Sequence, residues 1–191
     1  MKRVLLTCLI STAICLPALA ALKDGDSAPD FTTQASLAGK EFKFSLKESL
    51  KKGPVVVYFY PSAYTQGCNV QAHTFSVNQE KFAAAGATII GVSLDSIQRL
   101  NQFSADPEYC AGKFPVASDA SGAIAKSYDL SVKNVPGIKD TKGNEVDHGF
   151  AERTTFVVTS DGKIAATIGG VTPTENVTKA LETVQQLKAK S

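Results

Sequence analysis

Between Pro54 and Pro61 runs an unbroken apolar stretch, Val55-Val56-Val57-Tyr58-Phe59-Tyr60. β-Branched and aromatic residues without alternation predict a strand buried on both faces, in a sheet with helices on each side. A short loop then leads to a predicted helix near Cys68. Its Ala72, Phe75, Phe82 and Ala83 share roughly one face, Gln79 interrupts the stripe, and Gly86 stops it. Ala87 to Leu94 reads as a second buried strand. Ile97, Leu100 and Phe103 begin another helical stretch, which Asp106-Pro107 interrupts. Phe114-Pro115-Val116 is a short strand candidate, and Asp119 is placed to cap a helix over Ala123 to Tyr128.

The C-terminal pattern is clearer. Thr154 to Val158 and Lys163 to Ile168 flank Asp161-Gly162, which predicts a hairpin. Thr172-Pro173-Thr174-Glu175 has the capping-box pattern with Pro at the first helical position. Val177, Ala180, Leu181, Val184 and Leu187 then fall on one helical face. Upstream, Ser27 to Phe31 is extended by Pro29, Gly39-Lys40 is a turn between two short strands, and Lys47 to Lys52 is a solvated helix end. This order of elements predicts an α/β fold with a mixed central sheet flanked by helices.

The first twenty residues read differently. Lys2-Arg3, an uncharged and largely apolar stretch from Val4, and the triplet Ala18-Leu19-Ala20 are the marks of a secretory signal peptide. Residues 1–20 are therefore expected to be a cleaved signal and 21–191 a single exported domain in the periplasm, with no membrane attachment after cleavage. The 171 residues left carry 18 basic and 18 acidic side chains, so bulk charge gives no case for nucleic acid. Only Arg99 and Arg153 remain as arginines, and only Cys68 and Cys110 as cysteines. One exported pair is too little for a disulfide scaffold; it points to stabilisation or to redox chemistry.

Cys68 sits where a strand's carboxyl end turns into a helix, the usual ligand position of α/β sheets. A cysteine in a helix's first turn meets free N–H groups and the positive end of the dipole, which favour the nucleophilic thiolate. A C-x-x-C exchanger is disfavoured, because residue 71 is Gln. His73 lies on the wrong side of the helix to serve as a base, and both His73 and His148 read as ordinary surface or loop residues. Two histidines and two separated cysteines form no metal-ligand set, so no metal and no cofactor is expected.

Pro61-Ser62-Ala63-Tyr64-Thr65-Gln66-Gly67-Cys68 contains P-x-x-x-T-x-x-C directly after the aromatic strand. This resembles the active-site signature of peroxiredoxins, thiol peroxidases with a thioredoxin-like fold. The likeness extends to Ser27-Ala28-Pro29-Asp30-Phe31, Gly91-Val92-Ser93, Phe114-Pro115 to Asp119, and Arg153-Thr154-Thr155-Phe156-Val157-Val158 with Asp161-Gly162. Phe59-Tyr60-Pro61 and Gly67-Cys68 resemble the bacterioferritin-comigratory, or Q-type, subfamily. The resemblance implies that Cys68 attacks a hydroperoxide and becomes a sulfenic acid. It further implies that the Thr65 hydroxyl accepts from the peroxide or donates to the thiolate, and that Arg153 reaches the pocket from a neighbouring strand to stabilise charge. Pro61 would shape the loop and shield the sulfur, with backbone N–H groups near Gly67 and Cys68 as further donors.

Many Q-type members carry a resolving cysteine five residues after the nucleophile, where this chain has His73. Cys110 is the thiol that remains. Its setting resembles the branch whose resolving cysteine lies on the following helix, which implies an intramolecular Cys68–Cys110 disulfide formed after local unwinding. A thioredoxin-like protein would reduce that disulfide, and the subfamily implies a monomer. A one-cysteine enzyme, a disulfide oxidoreductase acting on client thiols and a non-enzymatic binding module stay open as alternatives.

Overall fold

The computed structural model describes residues 21–190, so the proposed signal, residues 1–20, lies outside the described residues. The chain opens with β1 (Thr32–Leu37), β2 (Lys40–Ser45), α1 (Leu46–Leu50) and β3 (Val55–Phe59). α2 (Gln66–Ala84), β4 (Thr88–Ser93), α3 (Ile97–Ala105), β5 (Val116–Ser118) and α4 (Ala123–Ser127) follow. β6 (Val132–Lys133), β7 (Phe150–Ala151), β8 (Thr154–Val158), β9 (Ile164–Gly169) and α5 (Pro173–Lys190) complete it.

Seven strands form one sheet in the order β2-β1-β5-β4-β3-β8-β9, and β6 and β7 make a small separate ribbon. β3, β4 and β5 run parallel, whereas β8 pairs antiparallel with β3, and β9 with β8. The sheet is mixed, as expected. Every residue of β3 is buried, and its two faces feed two cores. Val56, Tyr58 and Tyr60 pack with residues of α2, α3 and α5, while Val55, Val57 and Phe59 pack with Leu46, Leu50, Phe31 and Tyr128.

Several details follow local chemistry. The capping box at α5 closes in both directions, Thr172 N–H donating to Glu175 Oε2 (3.0 Å) and Glu175 N–H to Thr172 Oγ1 (3.3 Å). Asp119 does cap α4, accepting from the N–H groups of Ile124 (3.1 Å) and Ala125 (2.8 Å). β5 starts at Val116 rather than Phe114, because Pro115 has no N–H, although its carbonyl still accepts from Gly91 N–H at 3.1 Å. Ala83, expected on the buried face of α2, is exposed.

Candidate active site

β3 delivers the chain to the carboxyl edge of the sheet, where the Tyr60 N–H still bonds to Val92 O (3.1 Å) before Pro61 ends the ladder. Residues 61–65 then loop into α2, with Thr65 at its N-cap. Cys68 lies in the first turn of α2 and is only 1% exposed. On the neighbouring strand, Phe59 pairs with Thr154, so Arg153 comes level with Tyr60 at the same edge. Its Nη2 donates to Cys68 Sγ at 3.3 Å. The register of β3 with β8 thus brings together two groups 85 positions apart in sequence.

The guanidinium is held from behind. Arg153 Nη1 donates to Gln71 Oε1, Gln71 Nε2 donates to Asn176 Oδ1 (2.9 Å), and Asn176 Nδ2 donates to Ile168 O (2.8 Å). Thr155 adds its hydroxyl to Asn176 Oδ1, and Gln71, Thr155 and Asn176 are fully buried. Gly67 supplies the space: a Cβ there would lie 3.2 Å from Arg153 Nη2. Sequence reasoning used Gln71 only as the missing cysteine of C-x-x-C and overlooked Asn176. No local pattern ties either one to Arg153.

Of the two roles expected for Thr65, the geometry leaves room for one. Its hydroxyl donates to Ser62 O (2.8 Å), which leaves its lone pairs free to accept from a peroxide O–H rather than giving a proton to the sulfur. The Cys68 N–H is committed to Thr65 O at 3.0 Å, so this donor is already used.

A second missed group holds residues 62–64. The buried Asp95 accepts from Ala63 N–H (2.8 Å), from Ser62 Oγ (2.9 Å) and from Ser93 Oγ (2.7 Å). His148 Nε2 lies 2.9 Å from Asp95 Oδ1, and Arg99 Nη2 donates to Ala63 O at 2.8 Å. His148 is therefore no ordinary loop residue, and this corrects the sequence reading. Burial alone would lower its pKa, but the Asp95 hydrogen bond and charge outweigh that and hold it above the ordinary value. The signal was Ser93-x-Asp95 directly after a buried strand. His73 is exposed, with Nδ1 2.9 Å from Glu108 O.

Cys110 is fully buried, in the same apolar cluster as Cys68, and both thiols are free. It lies in the turn beyond α3 rather than on that helix, because α3 ends at Ala105 where Asp106-Pro107 breaks it. Burial, and then the Asp106 carboxylate, push the Cys110 thiol well above its ordinary value. Among the described residues no cluster of three or more His, Cys, Asp or Glu could hold a metal ion, and no helix is long and apolar enough to cross a membrane.

A model of the AhpC/TSA family matches residues 25–167. The Xanthomonas campestris protein peroxiredoxin Bcp is 33% identical over 111 residues, covering 58% of this chain and 62% of that protein. The solved structure of peroxidoxin BcpB from Mycobacterium tuberculosis is 28% identical, with TM-score 0.73, over 87% of this chain and 98% of the other. That of the X. campestris bacterioferritin comigratory protein, which has alkyl peroxide reduction activity, is 27% identical, with TM-score 0.64, over 81% and 91% of the two chains.

Proposed function

Because the chain belongs to the AhpC/TSA family, we propose that it works as a peroxiredoxin of the Q type, reducing hydroperoxides through Cys68. The observation that carries this reading is the Arg153 guanidinium 3.3 Å from a buried sulfur in the first turn of a helix. Thiolate attack on the terminal peroxide oxygen forms the S–O bond and breaks the O–O bond. The alkoxide or hydroxide that leaves takes a proton from water, and Cys68 becomes a sulfenic acid. Arg153 faces negative charge at each stage, first on sulfur and then on the departing oxygen. Thr65 accepts from the peroxide hydroxyl and fixes its approach, while Pro61 shapes the loop around the sulfur.

Cys110 is the resolving thiol in this reading. Its sulfur displaces the sulfenic oxygen, forming the Cys68–Cys110 disulfide and releasing water. Burial keeps the Cys110 thiol protonated, so it acts only once its turn and the start of α2 open. A thioredoxin-like dithiol then returns the protein to its reduced form by disulfide exchange. This cycle needs no residue from a second subunit, and the working unit is taken as a monomer. Residues 1–20 act as the export signal, and the enzyme works in the periplasm.

A disulfide exchanger with client thiols is a weaker reading, because position 71 is already committed to Arg153 and Asn176. Stopped-flow mixing of reduced protein with hydrogen peroxide tests the assignment. Cys68 should react orders of magnitude faster than a free thiol, and Cys68→Ser should abolish the reaction. A rate no faster than a free thiol overturns it. Intact mass after one equivalent of peroxide should show a disulfide in the parent and a sulfenic or sulfinic acid in Cys110→Ser. Mass and N-terminal sequence of the periplasmic protein test export.

A further inference from the structure

The segment between β6 and β7 forms a small hairpin that the chemistry above does not use. Lys139 pairs with Glu145, and the Asp140 N–H donates to Asn144 O at 2.8 Å. Gly143 closes the turn at a φ of +84°, a region that favours glycine. The buried Asp140 carboxylate stiffens the tip, accepting from the N–H groups of Lys142 (2.8 Å) and Asn144 (2.9 Å) and from Arg99 Nη2 (2.8 Å).

This tip touches both segments that must part during disulfide formation. On the peroxidatic side, Thr141 donates its N–H (2.9 Å) and its hydroxyl (2.8 Å) to Tyr64 O, and Asn69 Nδ2 donates to Thr141 Oγ1 (3.3 Å). Lys142 Nζ lies 3.6 Å from the centre of the Tyr64 ring. On the Cys110 side, Lys142 Nζ is 3.7 Å from Asp106 Oδ2, and the Tyr64 ring meets Tyr109 edge-on at 5.8 Å. Tyr64 itself sits at φ +62°, left-handed backbone that a non-glycine residue rarely adopts. Thr141 thus bonds to the carbonyl of the residue that carries this left-handed backbone.

We propose that Thr141 and Lys142 are positioning residues: they hold the peroxidatic loop in its reactive shape and must release it before the Cys68 sulfenic acid meets Cys110. The proposal rests on Cys110 as the resolving thiol. It makes the hairpin a control on the two fates of the sulfenic acid. In one, the Cys110 sulfur bonds to the Cys68 sulfur and water leaves. In the other, a second hydroperoxide gives up an oxygen, yielding a sulfinic acid and an alcohol or water. A tight hairpin favours the fast first step and slows the disulfide; a loose one does the opposite.

The experiment uses the reduced full-length chain with hydrogen peroxide, read by stopped flow and intact mass. Thr141→Val keeps the shape and removes the hydroxyl bonds. Lys142→Met removes the charge and keeps the stem, and Thr141→Ser should restore parent behaviour. Loss of the two hydroxyl bonds, the longer of them weak, should speed disulfide formation about fivefold in Thr141→Val. The peroxide concentration that leaves half the chains as sulfinic acid should rise by a similar factor, and the first step should slow. Unchanged disulfide rates and sulfinic fractions in both folded variants, with the parent still forming its disulfide, overturn the hairpin's role alone. If Cys110→Ser yields the same sulfinic fraction as the parent at every dose, Cys110 resolves nothing and both ideas fall.

Discussion

Gly67→Ala should make the protein more stable and a slower peroxidase. Gly67 is the second residue of α2 and is helical, so alanine there narrows the unfolded ensemble and favours the helix, by roughly 0.4–1 kcal/mol. The added Cβ would sit 3.2 Å from Arg153 Nη2 and 3.6 Å from Pro173 Cγ. A contact that tight forces a shift of a few tenths of an ångström, and the group that can move is the guanidinium. That displacement acts on the 3.3 Å contact with Cys68 Sγ. Full loss of a transition-state donor of this kind costs roughly 10²–10³ in rate, so a partial displacement should cost about tenfold. Urea unfolding gives the stability and stopped-flow peroxide consumption gives the rate. A midpoint that rises while the rate stays within twofold of the parent would refute the claim that Gly67 exists to admit Arg153. A fall in both would show that the cost lies in folding.

Gln71→Leu strips Arg153 Nη1 of its acceptor and Asn176 of a donor inside the core, and should slow Cys68 oxidation about tenfold or more with a loss of roughly 1–3 kcal/mol in urea. Combined with Arg153→Met it should add little further slowing, because both act through one group; additive losses would count against that coupling. Gly91→Ala places a Cβ 2.6 Å from the Tyr58 ring in a buried strand, and should cost about 1–3 kcal/mol by overpacking, seen as a lower thermal midpoint. His148→Gln tests the Asp95 pair by pH. The folded protein holds His148 above its ordinary value, so the pair's contribution is complete below about pH 6.5 and fades as pH rises through the raised pKa. The parent should exceed the variant by about 1 kcal/mol at pH 5.5, allowing for partial exposure, and by much less at pH 8.5. An equal gap at both values would mean that charge plays no part.

The fold was legible where one physical term dominates. Burial on both faces wrote itself into Val55 to Tyr60, and the reciprocal caps wrote themselves into Thr172 and Glu175. Cys68 was legible too, since its motif and its place after a strand are local facts. What stayed hidden depends on register. That Arg153 meets Cys68 follows from Phe59 pairing with Thr154, and the motif implied the meeting without giving the route. Gln71 and Asn176 lie on different helices and share a hydrogen bond only because α2 packs against α5. His148 looked like a loop histidine because nothing in its own neighbourhood names Asp95, 53 positions away. Asp140-Thr141-Lys142-Gly143 carried a turn signal of its own, yet no local feature says that the turn folds onto Tyr64.

The two sides of the peroxidatic loop are anchored in different ways, and the proposed cycle needs that difference. Towards Arg153, the chain of contacts runs through Gln71 and Asn176 into β8, β9 and α5, where neighbouring strands and a long helix fix every member. This side can keep its shape while the sulfur changes partners. Towards Cys110, the loop is tied by side chains of the hairpin and of α3, Thr141 to Tyr64 and Arg99 to Ala63, with Lys142–Asp106 and Arg99–Asp140 contacts beside them. Such ties break singly, without unpairing the sheet. In the proposed cycle Cys110 adds a chemical interlock. Burial pushes its thiol towards the protonated form, so an opening that brought it towards Cys68 would also expose it to water and favour the thiolate. In the proposed cycle peroxide reduction takes place in the closed site and resolution in an opened one, and the contacts able to let go between the two are those on the Cys110 side.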